Sequence, residues 1–181
     1  KTIKLQKNFP RAHAHLGYVL GNQGKQEEAV SAYKHGLTSE PDAPDIHYHL
    51  GQALTALGKV DEAEACLRTA LHHKSDYAKA YYKLANLLQA KGNYTEAEAC
   101  YLDAINHKTG YAEAYRGLAT LLNFIGRQSE AVAYSQEALR YKPDYADAHI
   151  AIAASILTLQ KPDEAMKHVI RALEIEPDNI N

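Results

Sequence analysis

Residues 78–111 read AKAYYKLANLLQAKGNYTEAEACYLDAINHKTGY, and the rest of the chain is this stretch copied forwards and backwards. Ala97 recurs as Ala29, Ala63, Ala131 and Ala165, and Leu84 recurs as Leu16, Leu50, Leu118 and Ile152, with a period of 34 residues and no insertion between copies. A fixed period of this length marks a repeat array, which grows by adding units rather than by enlarging one core.

Five complete copies occupy residues 10–43, 44–77, 78–111, 112–145 and 146–179. Residues 1–9 read as the end of a truncated preceding repeat, and residues 180–181 as the start of a further repeat or cap. Each copy carries two helical patterns. Unit positions 4, 7, 8 and 11, which are Tyr81, Leu84, Ala85 and Leu88 in the third copy, follow the i, i+3, i+4, i+7 spacing of one helix face. Positions 20, 24, 27 and 28, read as Ala97, Tyr101, Ala104 and Ile105, give the second helix its own stripe. Neither helix can bury its stripe alone, so the two pair.

Gly24, Gly58, Gly92 and Gly126 separate the helices in four copies and suit a left-handed helix end, while the fifth has Gln160 there. Three residues later come Asp61, Thr95, Ser129 and Asp163, expected to cap the second helices, with Asp61/Glu64 and Thr95/Glu98 spaced as capping boxes. Pro41, Pro143 and Pro177 close three second helices, because proline cannot extend one.

This pattern resembles the tetratricopeptide repeat, whose 34-residue signature sets an aromatic, Leu-Gly and Tyr before a later Ala, Phe, Ala and Pro. His47, Leu50, Gly51, Leu54, Ala63, Leu67 and Ala70 occupy those places in the second copy, and Tyr115, Leu118, Ala119, Leu122, Ala131, Ala138 and Pro143 in the fourth. The departures are mild. His13, His47 and His149 replace the aromatic, and Ser135 stands where Tyr33 and Tyr101 supply a large side chain, leaving the fourth copy under-packed. The resemblance implies an all-α right-handed superhelical solenoid of antiparallel helix pairs, with the first helices lining a concave groove.

That groove, by the same resemblance, binds an extended peptide or partner helix, so the expected function is a non-catalytic protein-interaction scaffold. The alternative is the substrate-recruiting arm of a larger transferase or kinase. Groove-facing positions give Arg11, His15, Tyr18, Tyr48, His49, Gln52, Lys79, Tyr82, Lys83, Asn86, Arg116, Asn123 and Phe124 as the partner-binding residues. Tyrosines offer flat contact area, and Lys79, Lys83 and Arg116 would take an acidic group of a peptide. Phe124, Ile150 and Leu157 would seat an apolar anchor. Neither the family's two-carboxylate clamp nor the asparagine ladder of its glycosyltransferase branch is reproduced, since unit position 6 reads His15, His49, Lys83, Gly117 and Ala151.

Composition limits the remaining classes. With 20 basic against 22 acidic residues the chain has no nucleic-acid footprint, and no apolar run approaches the roughly 18 residues of a membrane span. Cys66 and Cys100 occupy equivalent positions and read as small buried residues. His13 with His15, and His47 with His49, are two residues apart, roughly 200° around a helix, and cannot share an ion. No phosphate loop, nucleophile elbow or metal constellation is present, so no cofactor is expected. A cytoplasmic location and end-to-end self-association through uncapped terminal repeats complete the expectations.

Overall fold

The computed structural model describes residues 10–177, so the readings made for residues 1–9 and 178–181 lie outside the described residues. Ten helices and no strand are found there. The first helices of the copies are α1 (Pro10–Asn22), α3 (Pro44–Ala56), α5 (Ala78–Ala90), α7 (Ala112–Phe124) and α9 (Ala146–Thr158). The second helices are α2 (Gln26–Leu37), α4 (Val60–His73), α6 (Tyr94–His107), α8 (Gln128–Tyr141) and α10 (Pro162–Ile175). None is long and apolar enough to cross a membrane.

The chain divides into two compact units, one ending at Leu87 and the other beginning at Leu88. In the first, α1 packs on α2, α3 on α4, and α2 on the following α3. Tyr33, Leu50, Leu54, Ala63, Leu67 and Leu84 are buried there. In the second, α7 packs on α8, α9 on α10, and α8 on α9, around Tyr101, Leu118, Leu121, Leu122, Ala138 and Ile152. The stripe of the third copy is therefore core, with Leu84, Ala85, Leu88, Ala97, Tyr101 and Ala104 exposed by 2 % or less. Leu16 departs from its stripe, remaining 49 % exposed on α1.

The turn inside each copy corrects the capping expectation. The glycine takes a positive φ, between 72° and 87° at Gly24, Gly58, Gly92 and Gly126. The residue after it then donates its N–H to a carbonyl five residues back, as Lys59 does to Leu54 at 2.9 Å and Arg127 to Leu122 at 2.8 Å. This is the six-to-one bond of a Schellman ending. That residue's own carbonyl accepts the first bond of the next helix, from Ala63 to Lys59 and from Ala131 to Arg127, both at 3.0 Å. One residue closes one helix and opens the next.

The second helices thus begin one residue before Asp61, Thr95, Ser129 and Asp163, which sit at the second helical position rather than at the cap. The cap residues Lys59, Asn93, Arg127 and Lys161 make no side-chain capping bond. Glu64 pairs with Arg68 at 2.9 Å. Glu98 instead accepts from Arg127 through both carboxylate oxygens, at 2.7 and 2.8 Å, which ties α6 to the turn before α8.

Junctions between copies share another device. Lys74, Lys108 and Lys142 end α4, α6 and α8, and each ammonium lies over the ring of a tyrosine three residues on, Tyr77, Tyr111 and Tyr145, at 4.6, 4.0 and 4.1 Å. The cation sits where the helix dipole is negative and where the ring face attracts it. The cysteines are free: Cys100 is buried, whereas Cys66 is only half-buried, with burial pushing its thiol pKa up.

At Gln160 a side chain occupies the left-handed turn, φ 60°, and the bond from Lys161 to Ile156 lengthens to 3.3 Å. A side chain there costs about 1–2 kcal/mol, offset in part by the greater unfolded freedom of glycine. Gln160→Gly is therefore expected to stabilise the second unit by about 0.5–1 kcal/mol in urea unfolding.

His149 of α9 meets His168 of α10 with Nδ1 atoms 3.0 Å apart, an arrangement that needs one ring to donate and the other to accept. Burial, then His168 and Arg171, hold the His149 pKa below the ordinary imidazole range, against a bond to the Pro143 carbonyl and the charge of Asp144. A depressed folded pKa contributes stability above the unfolded value of about 6.5 and loses it as pH falls through the folded value. Stability is expected to fall from pH 7 to pH 5 in urea titrations, with His149→Gln flattening that acid limb.

Candidate binding faces of the first helices

First helices lie side by side within each unit, α1 against α3 and α7 against α9. The residues between their packing stripes face outward, and depressions form in the seams.

In the first unit one depression of about 580 Å³ is lined by Arg11, His15, Tyr18, Asp45, Ile46 and His49, among others. A second, of about 190 Å³, is lined by Tyr18, Asn22, Gln26, Tyr33, His49 and Gln52 among others. Tyr18 and His49 wall both. His49 is held among three tyrosines: it stacks on Tyr33 at 6.0 Å and 12°, and meets Tyr18 and Tyr48 edge-on at 5.8 and 5.0 Å. Its Nδ1 donates to Gln52 Oε1 at 3.2 Å. Burial lowers its pKa, aided by Lys79 and opposed by the Gln52 bond and Asp45. A neutral ring that donates from Nδ1 keeps Nε2 as an acceptor.

Tyr48 is the expected contact residue that the structure corrects. It is 7 % exposed, because its ring packs on Tyr77 at 5.0 Å. The Tyr77 hydroxyl in turn donates to the Asp45 carboxylate; burial and this bond push its pKa up. Arg11, His15 and Tyr18 on α1 and Lys79 on α5 are exposed, while Tyr82, Lys83 and Asn86 are half-buried. The Lys83 ammonium lies 5.7 Å from the centre of the Tyr82 ring.

Tyr33 was absent from the sequence-derived set because it belongs to a second helix. Its ring reaches the seam over Gly17, where an added Cβ would come within 2.7 Å of it. Burial, then Tyr18, push its hydroxyl pKa up to about 12. The pairing of a glycine on the first-helix stripe with a tyrosine sixteen residues on was the available signal.

In the second unit Arg116 and Asn123 of α7 line a depression of about 260 Å³ with Thr120, Asp147, Ile150 and Ala151. Phe124 does not join them. It is 68 % exposed, and its ring lies 5.2 Å from that of Tyr94 at the start of α6. Leu157 is likewise exposed and outside the depression, so of the three expected apolar anchors only Ile150 lines it. Ser135 is wholly buried, and its hydroxyl has no hydrogen-bond partner. Among the described residues no group of three or more His, Cys, Asp or Glu side chains could hold a metal ion.

Comparison with known proteins places this geometry. Solved structures with the same arrangement include a crystal structure of MamA, 25% identical with a TM-score of 0.80 over 89% of this chain and 94% of that one. The crystal structure of YrrB, described as a TPR protein with an unusual peptide-binding site, is 19% identical with a TM-score of 0.77 over 98% and 91% of the two chains. The pilF protein of Pseudomonas aeruginosa is 19% identical with a TM-score of 0.86 over 94% and 78%. Among curated proteins none matches the sequence. Two family models, each described as tetratricopeptide repeat, match residues 22–74 and 76–144. With these matches spanning more than half of its length, and with the helix pair repeated in register from α1 to α10, the chain belongs to the tetratricopeptide repeat family.

Proposed function

We propose that this chain is a non-catalytic protein-binding scaffold whose first-helix faces hold an extended peptide. The observation that carries the reading is the position of the depressions, which fall in the seams between successive first helices and present Tyr18, His49 and Gln52 in one unit and Arg116 and Asn123 in the other. YrrB, of the same fold, is described as having a peptide-binding site, which supports a peptide as the occupant.

The aromatic rim supplies flat area at little cost in side-chain entropy, and the neutral His49 offers an acceptor for a backbone or side-chain N–H. Lys79 and Lys83 add positive charge along α5, which favours an acidic group in the peptide. The small net charge of -2 leaves such a preference to local charge rather than to long-range steering. The exposed Met166, Val169 and Ile170 of α10 support a further contact, in which that face is covered by a second copy.

On a peptide array, acidic peptides retained by the wild type are expected to bind Lys83→Glu about tenfold more weakly, the loss of one charge-assisted contact, and more weakly still at raised salt. Unchanged retention would remove the acidic preference. Light scattering is expected to show a mass that rises with protein concentration, and a monomer at every concentration would remove the second-copy contact.

A further inference from the structure

The same three unit positions carry rings in one place and almost nothing in another. Where the first and second copies meet, positions 9 and 24 and the following position 6 are Tyr18, Tyr33 and His49, whose ring centroids lie 5.8 and 6.0 Å apart in a continuous aromatic group. Where the fourth and fifth copies meet, the equivalent residues are Thr120, Ser135 and Ala151. Thr120 and Ala151, in place of Tyr18 and His49, bring no ring to the seam between α7 and α9. Both line the depression of about 260 Å³ there, whereas the buried Ser135 does not.

Its walls are apolar on the α9 side, formed by Ile150, Ala151 and Ala154, with the methyl-bearing Thr120 opposite. A cavity of about 150 Å³ suffices for benzene in an apolar pocket. The lining also includes Asn123, whose Oδ1 is buried and has no hydrogen-bond partner. A buried acceptor left unmet is unfavourable, and it favours an occupant that brings a donor. The exposed Asp147 in the lining offers a further acceptor, and the Arg116 guanidinium a planar surface on which a ring can stack.

We propose that this depression is a side-chain pocket for a donor-bearing aromatic residue, tyrosine or tryptophan, of a bound peptide, which supplies the ring that Thr120 and Ala151 do not. The ring lies on Ile150, Ala151 and Ala154, and its O–H or N–H donates to Asn123 Oδ1. The inference rests on the peptide-binding reading above, but it assigns a specific residue class to a specific seam.

The test uses p-cresol and indole as side-chain probes and toluene as the probe without a donor, titrated into the whole chain while backbone amide NMR shifts are followed. Saturable shifts centred on Thr120, Ile150, Ala151 and Ala154 are expected from p-cresol and indole, with toluene about fivefold weaker. Thr120→Tyr, which restores the position-9 ring on α7, and Ala154→Phe, which fills the space from α9, should each abolish the shifts. Two variants acting from opposite sides keep the test decisive should one of them fold poorly. No saturable shift at these amides, or shifts that persist in a folded filled variant, would falsify the pocket. In a peptide display selection the wild type should enrich tyrosine or tryptophan at one position, and Ala154→Phe should lose that enrichment while keeping sensitivity to Lys83→Glu. Selected peptides that lack the aromatic yet still depend on Lys83 overturn the pocket and leave peptide binding standing. Absence of any selected peptide overturns the peptide-binding reading instead, whatever the small probes do.

Discussion

Five alanines at unit position 20, Ala29, Ala63, Ala97, Ala131 and Ala165, are buried to 4 % exposure or less, and the packing of each helix pair depends on their size. A methyl group lets the second helix approach its partner at the near end of the usual spacing of about 8–10 Å. Any longer side chain would overpack the contact, typically at a cost of about 1–3 kcal/mol. The close approach at this point sets how far apart the helices stand at position 24. There the side chain is free to vary: Tyr33 or Tyr101 where a ring is accommodated, Leu67 or Ser135 where it is not. The invariant small contact fixes the helix pair, and the variable neighbour fills each pair differently.

Glycine supplies the accommodation where a ring is used. Tyr33 passes over Gly17, and Tyr101 lies against Gly117, where an added Cβ would come within 2.6 Å of the ring. The Tyr101 hydroxyl completes its environment by donating to Gln89 at 2.8 Å. The two tyrosines occupy the same unit position yet use glycines at different positions, one in its own copy and one in the next. Similar letters at one repeat position therefore do not guarantee similar contacts, and each seam has its own surface chemistry.

The periodic part of the structure was legible in the sequence because period and stripe are one-dimensional properties. Leu84, Leu88, Ala97 and Ala104 are core as their spacing demanded, and Gly92 takes the left-handed turn its position required. Capping was misread at Asp61, Thr95, Ser129 and Asp163, because a cap motif assumes that each helix start has a residue of its own. Here the residue after the glycine serves both helices. The proposed binding face was legible only to the extent that it lies on first helices. Tyr48 turned out buried because Tyr77, anchored on Asp45, covers it, and Tyr33 entered the seam from a second helix. Both effects join residues about thirty and sixteen positions apart, beyond what the spacing within one helix can reveal.

The lysine-over-tyrosine junction has a consequence for how such a chain changes over generations. Lys74 with Tyr77, Lys108 with Tyr111 and Lys142 with Tyr145 present the same chemistry at three successive joints, in phase with an uninterrupted 34-residue period. Recombination between equivalent points of these copies, which deletes or duplicates one block, would regenerate an intact joint at the crossover. Because stability in such arrays is a sum of unit and nearest-neighbour terms, the shortened or lengthened product keeps its local contacts. Array length is thus a heritable variable separable from the residues of any one seam.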